Sequence, residues 1–208
     1  HTPLPATEEG GYPGQLFQAI QGTSMSSPHI AGVGALLKDL HPDWTPGQIK
    51  SAIMTTAKVA GVVKEDGVTP ANPFDTGSGR VDVAAPTNPG FTFAETKATY
   101  GVLKNSRGNE TYPGLYLPDM PGKITVQRTI RSVDSRARNW KVNVSAPPDV
   151  NISLPKQIRL NPGEALTFDI TIDARYAPMG QVRFAMIEFK QGDRSVHFPV
   201  TLVRGEPD

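Results

Sequence analysis

Apolar positions along this chain follow two different periods, and the change between them divides it. From Ser24 to about Ala60 the recurrence is helical: Ile30, Val33, Leu37 and Leu40 fall at three- and four-residue steps and predict one apolar face. Gly32, Gly34 and Ala35 thin the same segment. Each interior glycine costs a helix about 1 kcal/mol against alanine, so the expectation is that another element packs closely against them. His41-Pro42 ends this helix, because proline has no N–H and biases the residue before it away from helical geometry. Thr45-Pro46-Gly47-Gln48 announces a second one, with a capping hydroxyl, proline at the first helical position and a capping-box partner at the third. Ile49, Ala52, Ile53 and Ala57 follow on one side, and the pair predicts a helical hairpin. Ahead of it, QLFQAIQG reads as a short strand with Leu16 and Ile20 on one face and Phe17 and Ala19 on the other, the pattern of a buried sheet. The order strand, glycine turn, serine, helix puts Ser24 at that sheet's edge.

From about Gly122 the period becomes two. Trp140, Val142, Val144 and Ala146 alternate with polar residues, as do Leu166, Phe168, Ile170 and Ile172, and again Val196, Phe198, Val200 and Leu202. By that alternation His197 faces solvent. With GKITVQRTI, NISL, QIRL and QVRFAMIEF these make about seven short strands separated by Pro, Gly and Asn. The fold expected is therefore an α/β segment followed by an all-β antiparallel sandwich. The divisions fall at 1–90, at 91–121 for a linker or the start of the next domain, and at 122–208. Phe91, Phe93 and Tyr100 read as packing residues at the junction.

Composition narrows the function classes. Hydrophobic residues are 38% and charged residues 20% of the 208, which is enough apolar material for a core and argues against disorder. The 20 prolines and 20 glycines are spread rather than repeated, consistent with many turns and short strands. A net charge of +1 with interspersed signs, and no basic stripe with aromatics, argues against a nucleic-acid partner. Absent cysteine excludes disulfides, thiolate zinc sites and cysteine nucleophiles, and decides nothing about redox compartment. The apolar stretch around IAGVGALL is too short to span a membrane. Scattered carboxylates predict no metal, and no cofactor is expected. Gly77-Ser78-Gly79 reads as a turn rather than a nucleotide loop. Asn109, Asn143 and Asn151 each head an Asn-x-Ser/Thr sequon, which matters only in a eukaryotic secretory pathway. The chain opens HTPLPATEEGG with neither initiator Met nor secretory signal, so an excerpt of a longer protein is expected.

Candidate chemistry sits at Gly22-Thr23-Ser24-Met25. The first amides of a helix lack intrahelical partners and the aligned dipoles favour negative charge there. An oxyanion formed beside the Ser24 hydroxyl could take a hydrogen bond from the Ser24 amide, and glycine at 22 lets a substrate backbone approach. The same serine could simply cap the helix, and a hydroxyl is a poor nucleophile without a base.

The run Gly22-Thr23-Ser24-Met25-Ser26-Ser27-Pro28-His29 resembles the nucleophile motif of the subtilisin-like serine proteases. LLKDLHPDWTPGQIKSAIMTTA resembles the two helices after the nucleophile in the plant-type and related bacterial branch, and NPFDTGSGRVDVAAPTNPGF resembles the close of that catalytic domain. GKITVQRTIRSV and NISLPKQIRLNPGEALTFDI resemble the fibronectin-III-like sandwich that follows it. The resemblance implies that 1–90 is the C-terminal part of a subtilase catalytic domain and 122–208 a fibronectin-III-like sandwich. It implies Ser24 as nucleophile and backbone oxyanion donor, Thr23 as oxyanion support, and Gly22 and Met25 as substrate-binding residues, Met25 bordering the leaving-group pocket. Oxidising Met25 to the sulfoxide should then impair the intact enzyme.

In that family the catalytic order is Asp, His, Ser, and both partners lie upstream together with the oxyanion asparagine. Neither partner segment precedes Ser24 here, nor does any asparagine. His29 lies five residues along the same helix and His41 at its far end, so both read as structural. The resemblance thus implies an endopeptidase whose base belongs to an upstream part, with this chain alone inactive. It also implies a peptide substrate, the upstream part of its own catalytic domain as partner, a secreted location, and a sandwich serving stability or homodimerisation. Two further readings stay open: a non-catalytic binding or structural module with a protease remnant, and part of a pseudoprotease.

Overall fold

The computed structural model describes residues 2–3, 17–18, 21–93 and 112–205. Strands β1 (Thr2–Pro3) and β2 (Phe17–Gln18) pair antiparallel; Gln15, Leu16, Ala19 and Ile20 of the expected QLFQAIQG strand lie outside the described residues, and Gln21 and Gly22 lead into the first helix. Three helices follow, α1 (Thr23–Leu40), α2 (Pro46–Thr55) and the single turn α3 (Pro73–Thr76). The expected cap is formed: the Gln48 amide donates to Thr45 Oγ1 at 3.2 Å, and the Thr45 amide donates to Gln48 Oε1 at 3.0 Å. α3 has its own box, in which the Asn72 amide donates to Asp75 Oδ2 at 2.8 Å and the Phe74 amide to Asn72 Oδ1 at 2.8 Å. The GSG segment is the predicted turn; Gly77, at φ 58, closes α3. At the end of α1 the His41 amide returns to Leu37 O at 2.9 Å, and the His41 ring stacks on Trp44 with centroids 3.9 Å apart.

The apolar face expected of α1 is only half realised. Val33 and Leu37 are buried, but Ile30 and Leu40 are 40% and 58% exposed. Among the described residues the close packing expected at its small residues is also missing. A Cβ on Gly32 would meet nothing within 4 Å, and one on Gly34 would touch only Ile49 Cγ2 at 4.0 Å. Among the described elements α1 lies against α2 and the 3₁₀ turn Ala85–Thr87, which cover one side of a helix patterned for more.

The sandwich has nine strands among the described residues. β3 (Phe91–Phe93), β4 (Leu115–Met120), β5 (Lys123–Ser132), β6 (Arg138–Ser145) and β7 (Asn151–Ser153) come first. β8 (Gln157–Leu160), β9 (Ala165–Asp173), β10 (Val182–Gln191) and β11 (Arg194–Arg204) complete it. One sheet runs β4-β11-β10-β6-β8 and the other β3-β5-β9-β7. Two of the nine, β3 and β4, arise from the 91–121 stretch, and β4 is parallel to β11 whereas the other sandwich pairings are antiparallel. The core carries Phe91, Phe93, Trp140, Phe168, Phe189 and Phe198, ringed by inward Val, Ile and Leu. Phe91 meets Trp140 and Phe189 edge-on at 4.8 and 5.3 Å, the geometry aromatic quadrupoles favour. Val144 and Ala146, expected inside, are exposed: Ala146 lies past the Ser145–Met186 pair, where β6 loses its β10 partner, and Val144, still paired with Ile187, sits at that same end of the strand. The opposite sheet's outer face is laced by Thr125–Thr171 and Thr129–Thr167 hydroxyl bonds at 2.9 and 2.8 Å.

The helical region docks on this sandwich. The buried Phe93 amide donates to Ser51 Oγ of α2 at 2.8 Å, and Arg194 Nη1 donates to Asn88 Oδ1 at 2.9 Å. Gly90, at φ 84, lies so close under Trp140 that an added Cβ would stand 2.4 Å from the indole Cζ2. The Trp140 Nε1–H has no acceptor among the described residues. His197, expected in solvent, is 8% exposed. Alternation does put it on the outer face of β11, but the helical region covers that face and the Ser78 carbonyl reaches it at 2.8 Å.

Candidate active site

Gly22 is the N-cap of α1, with φ 148, a conformation L side chains rarely adopt; a Cβ there would meet nothing within 4 Å among the described residues, so the backbone angle calls for glycine. Its carbonyl accepts from the Met25 and Ser26 amides, both at 3.0 Å, and from Ser26 Oγ at 3.2 Å. Those bonds close the first turn and leave the Thr23 and Ser24 amides without an acceptor among the described residues. Ser24 is the second residue of the helix and exposed, Thr23 is exposed, and Met25 is half-buried. The Ser24 side chain does not cap: Gly22 has no side chain to do so either, and Ser24 is already inside the helix. Pro28, within the helix, has no N–H to give the Ser24 carbonyl. The first turn contains no acidic residue, so nothing there opposes a negative charge. An exposed hydroxyl beside free amides at a positively polarised helix end suits a group that attacks a carbonyl and holds the resulting oxyanion.

No described histidine stands beside Ser24. The His29 Nδ1–H donates to the Met25 carbonyl at 2.6 Å, one turn back on its own helix. His41 Nε2 donates to Thr87 O at 2.9 Å, at the other end of α1. His197 is in the sandwich, where burial holds its pKa below the ordinary 6.5 against the opposing pull of the Ser78 carbonyl and Glu188. Among the described residues no cluster of His, Asp and Glu could hold a metal, and no helix is long and apolar enough to cross a membrane.

One feature escaped the sequence. A cleft of about 510 Å³ opens between the strand-like turn after α2 and the outer face of β10 and β11, lined by Ala57, Lys58, Val59, Met186, Glu188 and His197, among others. Its signal was present, since Glu188 and His197 have alternate-face positions on adjacent strands, but nothing in the alternation says what covers them.

Comparison with known proteins agrees with both halves of this description. Residues 5–107 match the Subtilase family and residues 111–202 match a Fibronectin type-III domain. Subtilisin-like protease SBT2.5 of Arabidopsis thaliana is 32% identical over 232 residues, covering 93% of this chain and 28% of that protein. Subtilisin-like serine-protease S of Lotus japonicus is 29% identical, covering 89% of this chain and 29% of its own length. The CO(2)-response secreted protease of Arabidopsis thaliana is 28% identical, covering 92% of this chain and 30% of that protein. The chain therefore spans less than a third of the length of these relatives.

Proposed function

We propose that this chain, which belongs to the subtilase family through residues 5–107 and carries a fibronectin type-III domain after it, is the C-terminal portion of a secreted subtilisin-like serine endopeptidase. The observation that carries the reading is Ser24, an exposed hydroxyl in the first turn of an 18-residue helix whose Thr23 and Ser24 amides are free among the described residues. In the intact protein Ser24 Oγ attacks the scissile carbonyl carbon, its proton passing to an imidazole supplied by the upstream part of the catalytic domain. The carbonyl oxygen becomes an oxyanion that accepts from the Ser24 amide, with Thr23 supporting it. Collapse of that intermediate expels the amine, which takes the proton, and leaves an acyl-Ser24 ester for water to cleave. Gly22 gives the substrate backbone room, and Met25 borders the departing group. This route needs neither metal nor cofactor.

The same upstream part is the partner proposed for the open side of α1, where Ile30, Leu36 and Leu40 face solvent. Without it the chain lacks the base and hydrolyses no peptide at enzyme-like rates. The secreted location rests on relatives of the kind named above.

A fluorophosphonate probe tests this directly. The intact parent should label at Ser24, Ser24→Ala should abolish both label and turnover, and the 208-residue chain should stay unlabelled. An unlabelled but folded parent would favour a pseudoprotease or a binding module, and the self-contained core of the sandwich fits the second of these. Oxidation of Met25 to the sulfoxide should lower the parent's turnover while leaving labelling stoichiometry intact.

A further inference from the structure

We propose that the contact between the helical region and the sandwich is a proton-sensitive latch in which His197 is the titrating group. The geometry is that of a ring committed across a joint. His197 is 8% exposed on the outer face of β11, and its Nε2 lies 2.8 Å from the Ser78 carbonyl oxygen. A carbonyl only accepts, so the ring N–H is the donor, and a neutral imidazole already satisfies the bond. Protonation adds no partner to this contact and adds a charge that burial penalises.

The charged neighbours do not offset that penalty. On β10, Glu188 is the cross-strand partner of His197, but its carboxylate is already engaged. Ser195 Oγ donates to Glu188 Oε1 at 2.8 Å, and Lys190 Nζ stands 3.1 Å from Glu188 Oε2. From the helical region, Lys58 lines the opposite wall of the same cleft, where it pairs with Asp82 at 2.8 Å. Ala57, Val59, Ala60 and Met186 make the remaining wall largely apolar. A proton on His197 would thus sit in a cleft whose Lys58 is already paired with Asp82 and whose Glu188 is only partly available to it.

The direction of the linkage follows. Burial, the largest influence, holds the His197 pKa below its ordinary 6.5, while the Ser78 carbonyl and Glu188 pull it up less strongly. The docked form therefore binds fewer protons than the undocked one. Docking is at full strength above the ordinary histidine range and is lost as pH falls through that range toward the lowered value. Once undocked, the imidazolium is hydrated and the penalty disappears.

The Phe93 amide reports the joint, because it donates across it to Ser51 Oγ. In the 208-residue chain its hydrogen exchange, corrected for the intrinsic pH dependence, should accelerate between about pH 7.5 and pH 5, by at most about tenfold per pH unit for one linked proton. His197→Gln keeps a side-chain N–H for the Ser78 carbonyl and removes the titration, so its corrected exchange should be flat over that window. Glu188→Gln removes a group that favours the charged ring, so the acid acceleration should deepen. Acceleration in His197→Gln equal to that of the unmodified chain would overturn the proposal. Should His197→Gln fail to fold, Glu188→Gln decides alone: a deeper acid response supports the latch, and an unchanged or shallower one overturns it.

Discussion

Leu36 and Phe189 are both large apolar residues in regular secondary structure, yet 57% of the first meets solvent and none of the second. The contrast extends to their regions. Among the described residues from Phe91 onward, 25 buried apolar side chains form one contiguous core between two sheets and only a few, such as Tyr116, Val144 and Met179, are exposed, while upstream Ile30, Leu36, Leu40, Val59, Val63, Val68, Phe74 and Val83 are exposed. Both regions have well-formed local structure, with capping boxes in one and ten-residue strand pairings in the other. What separates them is whether the amphipathic faces find each other. A helix patterned for burial on more than one side keeps its shape through capping and hydrogen bonds, but its stability depends mostly on the surface it packs against. The helical region borrows that surface from the sandwich through Ser51, Asn88 and Ser78, and leaves the rest of α1 open.

The largest test of this contrast is dissection. A fragment of residues 89–208 should fold cooperatively, giving a single urea transition, whereas 21–87 should not. A fragment beginning at residue 112 should fail, because it discards Phe91 and Phe93, each worth about 3–5 kcal/mol when removed from a core, against a domain stability of roughly 5–15 kcal/mol. Cooperative unfolding of the 112–208 fragment would break the assignment of β3 to the sandwich core. Next in size, Phe189→Ala should lower the stability of the chain by about 3–5 kcal/mol, while Leu36→Ala should change it by no more than about 0.5 kcal/mol; paired denaturant melts read both. Ser51→Ala should cost about 1–3 kcal/mol by stranding the buried Phe93 amide, and a cost near zero would show that water replaces the hydroxyl. The smallest effect is expected in acid. Asp134 is pulled upward by burial, but the hydrogen bonds from Arg194 and Arg138 outweigh this and hold its pKa at about 2, below the ordinary 3.8. Its folded form therefore binds fewer protons, and the stability it contributes is lost as pH falls through 3.8 toward about 2. Asp134→Asn should flatten the melting profile across that interval.

Much of this was legible in the chain, and the exceptions share a cause. Alternation located β5, β6, β9, β10 and β11, and Thr45 with Gln48 located the start of α2, because these signals are local. β3 was not legible: FTF is three residues long and earns its place only by pairing with residues about 40 positions later. His197 was assigned to the correct face and the wrong environment, since periodicity says which way a side chain points and not what lies there. Ile30 and Leu40 failed in the opposite sense, being patterned for a neighbour that the described residues do not provide. At the candidate site the helix start, the exposed serine and the structural place of His29 on the same helix were readable, because each depends on residues within a few positions of Ser24.

The two tryptophans of the chain fall one on each side of this divide. Trp44 is half-buried and stacked on the His41 ring, whereas Trp140 is 1% exposed with no acceptor for its indole N–H among the described residues. An indole in dry surroundings emits at shorter wavelength than one near water, and an adjoining imidazole quenches. Intrinsic fluorescence should therefore resolve the loosening of each half separately, blue-side intensity following the β region and red-side intensity the helices, with no label attached.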